Sequence, residues 1–399
     1  MKQKLSLLIP AALLAAASHA SAQGLESIGR NYDLEFANKI PFSWYVGAGI
    51  GWDSNPLLVE RGEEDSAYAT LTIGVDYNTG DRKRTAIDFH ASYSPLFYFD
   101  APSGIDDYQT NARLGFDIRH RVNPRLTITD SAYISYEVQP DFGIGATVAR
   151  QTDEYLYWYN SLAAAYSWTR RFSTVTSYTI SGVNYQDETL NDQDFIMHLF
   201  GQEFRYAFTR RTTGALTYRF GIGDYDNGIG DYESHYFLVG ADHMFSPRMI
   251  GSFRVGAEYR DRDFGGSQTD PYFEGSFVYR VNRKTDLRAY TRIGFADNDV
   301  GTYGDRFGYR FGVTAAHRLN TRLTGNIGVH YYHDDYEEGL LPSFDEDVVA
   351  FSAGIDYALW RNVSVNAGYS FTTSSNDSFA GLRPEYDRHN VQVGINARF

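Results

Sequence analysis

From Val391 to the last residue the chain alternates without a break. Val391, Val393, Ile395, Ala397 and Phe399 are apolar, while Gln392, Gly394, Asn396 and Arg398 are small or polar. Period two is the period of a strand with one dry face and one wet face. The dry face has to meet a packed core or lipid. Strands cross lipid only as a closed barrel, because an open edge would strand backbone amides in hydrocarbon.

The same alternation runs back through the chain to Phe42, in segments of roughly 12 to 14 residues, longer than the ~9–11 that cross a bilayer at a tilt. Ala69, Leu71, Ile73, Val75 and Tyr77 make one apolar face; Leu216, Tyr218, Phe220 and Ile222 make another, and Phe307, Tyr309, Phe311 and Val313 a third. The segments number about 18, with 16 as the alternative, because the faces of Arg125–Glu137 and Phe172–Asn184 are mixed and Asp130 falls on the apolar side. Short breaks that contain or adjoin Arg or Lys, such as Arg121–Pro124, Thr209–Arg211 and Asn282–Lys284, alternate with longer breaks rich in Asp, Glu and Gly, such as Ser54–Asp65 and Asp335–Glu346. This asymmetry predicts an all-β, antiparallel transmembrane barrel with short periplasmic turns, longer acidic extracellular loops, and both termini on the periplasmic side.

Composition separates this reading from a soluble propeller or sandwich. Aromatics are 16% of the residues, with 32 Tyr and 27 Phe. They gather at segment ends: Trp52, Tyr136, Tyr259 and Phe371 toward the loops, and Tyr77, Trp168, Phe208, Phe245, Tyr357 and Trp360 toward the turns, as two interfacial girdles require. No blade-length repeat accompanies the strand period. Residues 1–22 read as a secretory signal peptide, with Lys2 and Lys4, an apolar run from Leu5 to Ala17, and the small residues Ala20-Ser21-Ala22 before Gln23. Residues 23–40 read as a periplasmic N-terminal segment and 41–399 as the barrel. There is no cysteine, hence no disulfide framework, and a net charge of −14 excludes nucleic acid as a partner.

A barrel this wide encloses a channel unless something fills it. The alternation turns Arg254, Arg260, Arg280, Arg288, Arg292, Arg306 and Arg310 inward, where guanidinium forks would favour anionic solutes or an acidic polymer, or would pair with carboxylates on neighbouring strands. It also turns Tyr68, Tyr98, Tyr157, Tyr159, Tyr236, Tyr272, Tyr290 and Tyr332 inward, where rings could stack on sugars. The loop Gln139–Glu154 is the best candidate to fold inward and narrow the pore. The acidic loops around Asp187–Asp194 and Asp334–Asp347 could hold Ca²⁺ or Mg²⁺ and bridge to lipopolysaccharide phosphates, although solvated loops explain them as well. No cofactor is expected. His333-Asp334-Asp335 is the one cluster suggestive of water activation, but no serine is placed beside a histidine, and His330 and His333 read as polar residues near a strand end, so no catalysis is expected.

The first segment runs into Gly51-Trp52-Asp53-Ser54-Asn55-Pro56, in which Asn-Pro is a turn starter that would fold the first loop back over the rim. With the leader, the single barrel and the terminal aromatic, this motif resembles that of the putative beta-barrel porin 2 family. The resemblance covers about Pro41 to Phe399. It implies an outer-membrane barrel of a Gram-negative bacterium, accompanying exopolysaccharide synthesis and secretion systems, and hence a passive conduit for export of an acidic exopolysaccharide. The alternatives are a diffusion porin for small anions or oligosaccharides, and a structural or adhesive barrel with a blocked lumen. Val391, Val393, Ile395 and Phe399 resemble the signal read by the barrel-assembly machinery, with Ala397 where an aromatic is common. Implied partners are outer-membrane lipid and lipopolysaccharide, the assembly machinery, the polysaccharide, and periplasmic secretion components docking on residues 23–40 and the basic turns.

Overall fold

The computed structural model describes residues 42–80, 84–138, 154–186, 194–226, 228, 230–263, 266–296, 306–337, 342–378 and 383–399. The signal peptide, the N-terminal segment and nearly all of the Gln139–Glu154 loop lie outside the described residues. The chain forms twenty strands: β1 (Phe42–Asp53), β2 (Ser66–Asn78), β3 (Thr85–Tyr93), β4 (Leu96–Tyr98), β5 (Tyr108–Gln109), β6 (Ala112–Arg121), β7 (Leu126–Glu137), β8 (Tyr155–Ser167), β9 (Phe172–Tyr185), β10 (Phe195–Ala207), β11 (Thr212–Tyr225), β12 (Tyr232–Ser246), β13 (Met249–Arg262), β14 (Gly266–Arg280), β15 (Thr285–Ala296), β16 (Arg306–Arg318), β17 (Leu323–Tyr336), β18 (Phe344–Ala358), β19 (Val363–Asn376) and β20 (Tyr386–Arg398).

Eighteen of these make the wall, and sixteen is excluded. The short β4 and β5 carry the second hairpin onward past two interruptions: β2 pairs first with β3 and then with β4, while β5 pairs with β4. The interruption falls at Pro95, which has no N–H to give the ladder. Ser94 N instead donates to Asn111 O at 2.7 Å, and Leu71 N to Pro95 O at 3.3 Å. The tight turns have a local cause. Asn123 Oδ1 accepts from Arg125 N and Leu126 N at 2.8 and 3.0 Å, Thr169 Oγ1 accepts from Arg171 N and Phe172 N, and Asn320 Oδ1 from Arg322 N and Leu323 N. A short side chain thus mimics a turn carbonyl and reverses the chain within a few residues.

The sheet closes where β1 pairs antiparallel with β20. On the outer surface Trp44 stacks on Phe399 at 4.6 Å, and the two exchange backbone hydrogen bonds at 3.0 and 2.8 Å. On the inner surface Asp53, fully buried, receives both the Nε and Nη2 of Arg388, together with Asn390 Nδ2 at 3.1 Å. Asn55 Nδ2 donates to Val59 O at 2.7 Å and Asp387 O at 3.2 Å, and Asn55 Oδ1 accepts from Val59 N at 3.1 Å. The Trp-Asp-Ser-Asn-Pro stretch therefore clasps first strand, first loop and last strand at one rim. At the other end Arg398 reaches across β1 to Asp76 on β2 at 3.0 Å, its guanidinium lying over the Tyr45 ring.

Large apolar side chains cover the outside: Leu71, Phe200, Leu216, Phe237, Val239, Phe253, Ile327 and Ile355 are all exposed. Histidines mark both edges of this band. Thr85–His120, Thr212–His243 and Thr285–His317 pair at the turn ends at 2.8 to 2.9 Å, and Tyr178–His198, Tyr218–His235 and Tyr369–His389 pair toward the loop ends at the same lengths. On β12, His235 and His243 bracket Phe237, Val239 and Ala241. Eight residues on a strand tilted about 40° rise about 20 Å along the membrane normal, close to the apolar band of an outer-membrane barrel. Asp130 does lie on this outer face, hydrogen-bonded by Asn160 at 2.9 Å.

Asp53→Ala leaves a buried guanidinium without its carboxylate at the closing seam, which costs about 3–5 kcal/mol. The urea midpoint for unfolding from lipid vesicles should fall accordingly, and a second change, Arg388→Met, should restore most of the loss.

Candidate functional site: the inner wall

Which face looks inward is settled by contacts that skip strands. Arg254 on β13 reaches Glu203 on β10, and Arg219 on β11 reaches Glu274 on β14, distances that only chords across the concave side can span. Strand alternation then assigns the rest.

On the wall formed by β10 to β18 most of these inward charges pair with one another, and Arg205, Arg254, Arg260, Arg306 and Arg310 are buried. Arg254 donates through Nε to Glu203 at 2.9 Å and through Nη1 to Asp242 at 3.0 Å; Glu203 also engages Arg205 and accepts from Thr217 at 2.8 Å, and Asp242 accepts from Ser252 at 2.6 Å. Arg219 meets Glu274 with both terminal nitrogens at 2.6 and 2.9 Å, and Tyr272 completes the carboxylate at 2.8 Å. Arg260 bonds Glu258 at 3.0 Å and is sandwiched near the Tyr232 and Phe295 rings at 3.9 and 4.6 Å. Arg306 and Arg310 converge on the buried Asp334 at 4.0 and 3.6 Å. Arg292 donates to Phe295 O at 3.0 Å, Arg288 lies half-buried on the same strand, and Arg280 pairs with Asp286 at 3.2 Å in the open at the turn end. Such pairs hold their own fields closed: a guanidinium already bound bidentate to a carboxylate has little left to offer a passing anion.

The inward tyrosines are likewise occupied. Tyr68, Tyr98, Tyr157, Tyr159, Tyr236, Tyr272 and Tyr332 are buried, and Tyr290 is half-buried. Tyr68 meets Tyr98 edge-on at 6.1 Å and donates to Asn390 at 2.9 Å; Tyr236 meets Tyr272 edge-on at 5.3 Å; Tyr290 and Tyr332 share a hydrogen bond at 3.3 Å. Tyr157 belongs to a cluster with Tyr155, Tyr185, Phe195, Tyr225 and Tyr232 at the loop end. Ring faces engaged in this way are not platforms for a sugar.

A second sector runs from β17 through β20 to β1 and is of another kind. Over the middle of the wall its inward residues are mostly Gly, Asn, Gln and Ser, bounded by Asp53, Arg388, Asp334 and Glu346 toward the loops and by Asp356 and Arg398 toward the turns, and Gln392 and Ser352 are exposed. Asparagines lie flat across it, each over a glycine of the next strand. A Cβ on Gly47 would fall 2.0 Å from Asn396 Oδ1, one on Gly354 2.5 Å from Asn326 Oδ1, and one on Gly394 2.9 Å from Asn366 Oδ1. The partners face each other directly in the register, and Asn396 donates on to Asn366 at 3.0 Å. The glycines are needed for this close approach, so the middle of the sector is smooth and rich in donors and acceptors. Sequence reasoning weighed only charged and aromatic inward residues and missed it; the signal was the Gly and Asn recurring at inward positions of consecutive strands.

The strand period also divides the His-Asp-Asp cluster. His333 and Asp335 point outward, where His333 bonds Asp335 and Asp347 at 2.9 Å, while Asp334 points inward to the arginines. Among the described residues no group of acidic and histidine side chains is arranged to hold a metal ion.

Residues 299–399 match the family model described as Putative beta-barrel porin 2. Among solved structures the fold is similar to Pseudomonas aeruginosa OccK2 (OpdF), at 10% identity over 90% of this chain and 98% of that one, TM-score 0.44. It is also similar to the outer membrane protein opdK from Pseudomonas aeruginosa, at 11% identity over 90% and 98% of the two chains, TM-score 0.45. For Acinetobacter baumannii OccAB4 the values are 11%, 91%, 99% and 0.43. No curated protein sequence matches the chain. The closed barrel, its apolar band and the family match make this chain a porin-like β-barrel of the Gram-negative outer membrane.

Arg254→Met should leave Glu203 and Asp242 buried without their shared cation and lower stability by about 3–5 kcal/mol, read as an earlier urea midpoint. Adding Glu203→Gln and Asp242→Asn should recover much of it, because the neutral set no longer requires a charge.

Proposed function

We propose that the barrel is a passive conduit for saccharide, serving export of an exopolysaccharide, and that the path runs along the amide-lined sector from β17 to β1. One observation carries the reading: beside the self-paired ionic wall lies a strip from β17 to β1 whose middle presents mostly Gly, Asn, Gln and Ser to the lumen, with Gln392 and Ser352 exposed. Hydroxyl-rich chains exchange hydrogen bonds with water easily, and a lining of amides and hydroxyls offers the same exchange at many equivalent points, so a polymer can slide without a deep binding minimum. The arginines of the Arg254–Arg310 sector then act as framework rather than as a selectivity device. An acidic polymer is tolerated on this reading, not selected. The export direction and any periplasmic partner follow from the secretion systems that the family resemblance implies.

A second reading, a structural barrel closed at rest, is favoured by burial on the loop side, where Asp53, Glu137, Arg306, Asp334 and Glu346 are 3% exposed or less. Planar-bilayer recording of the refolded protein separates the two. The conduit predicts a steady conductance with weak ion selectivity, reduced by neutral dextran in the bath and lowered roughly severalfold by Gln392→Trp. It further predicts that a strain carrying Gln392→Trp secretes less polymer. Strong anion selectivity abolished by Arg254→Met would return the arginines to the leading role, and a silent barrel would favour the structural reading.

A further inference from the structure

β7 and β9 carry mixed faces, and both lie against β8, so their irregularities combine into one patch on the outside of the barrel. It carries Asp130, Asn160, Thr176 and, on β10, Gln202, each at least four residues from either end of its strand. Asn160 donates to Asp130 at 2.9 Å, and Thr176 donates to Gln202 Oε1 at 2.7 Å. The second carboxylate oxygen of Asp130 and the Gln202 amide nitrogen have no partner among the described residues. Asp130 sits between Ile118 and Leu162 in the register, within the apolar band. Ala132 and Ala164 lie beside these groups, with Ile128, Ile134 and Leu162 around them, and the adjoining face of β11 to β13 presents Leu216, Phe237, Val239 and Phe253.

A carboxylate and an amide at this depth cost several kcal/mol in hydrocarbon, and acyl chains supply no donor. Polar groups that hydrogen-bond across the contact are how membrane-embedded surfaces hold another protein. By contrast, the outer groove of about 510 Å³ on the far side, lined by Ala315, Ile327, Ala353, Ile355 and Val393, is apolar and suits lipid.

We propose that this patch is the contact surface for a second copy of the chain, related by a two-fold axis along the membrane normal. A two-fold contact brings a surface against itself, so it requires donors and acceptors on the same patch. Here the acceptor Asp130 and the donors Asn160 and Gln202 lie on β7, β8 and β10, within four consecutive strands, and a second copy occupies the same depth with the same polar groups. The amide of one protomer's Gln202 then meets the carboxylate of its partner's Asp130.

The chain has no cysteine, so a single introduced thiol reports contact cleanly. Thr176→Cys and, as a control on the apolar face, Val239→Cys are expressed in outer membranes and oxidised with copper phenanthroline, with heat-modifiable migration confirming folded barrels. A cross-linked species of twice the monomer mass is expected for Thr176→Cys, absent for Val239→Cys, and lost when Asp130→Leu and Gln202→Leu are added. Monomer from both folded variants, dimer from both alike, or a cross-link only to a protein of another mass would each overturn the proposal.

Discussion

The structure depends on one closure. Seventeen of the wall's seams join strands that follow one another in the chain, and those pairings form over short turns or single loops. The β1–β20 seam joins residues more than three hundred positions apart, and without it two rows of amides would face hydrocarbon. Side chains reinforce it on both faces: Trp44 on Phe399 outside, Asp53 with Arg388 and Asp76 with Arg398 inside. The loop-side clasp uses the Asp and Asn of the Trp-Asp-Ser-Asn-Pro stretch. That stretch is therefore a closing device before it is anything else.

Closure fixes what the interior can be. Eighteen strands leave room for a channel, yet the β10–β18 wall spends its charges on itself. Arg254 and Arg219 reach carboxylates three strands away, Arg306 and Arg310 one on the next strand and Arg260 one on its own, and desolvation makes those pairs costly to separate once formed. Beside this wall, the seam sector presents glycine, asparagine, glutamine and serine over the middle of the barrel wall. Its smoothness has a steric origin: a Cβ at Gly47, Gly354 or Gly394 would displace the asparagine lying across it. The sector flanking the closure is thus the part along which the proposed polymer path runs.

The outer face shows the same logic with the opposite solvent. Where it meets lipid it is Phe, Leu and Val; where it meets headgroups it is Tyr, Trp and paired histidine; and where it carries Asp130 and Gln202 a different neighbour is required. The two strands whose faces looked irregular in sequence flank β8, which brings two local exceptions onto one surface.

The sequence by itself determined the barrel, its strands, its turns and which residues face inward, because period two and interfacial aromatics are local signals that need no knowledge of neighbours. The alternation of Val391 to Phe399 already implied closure, and Asn123, Thr169 and Asn320 already implied tight turns. Tertiary structure alone decided what each inward residue does. Arg254 is equally compatible in sequence with a solute-facing cation and with a framework ion; Glu203 and Asp242, on other strands, made it the latter. Likewise Asp53 and Arg388, far apart in the chain, form an ion pair at the seam. Register across strands is a non-local quantity, and function in a barrel is written in register.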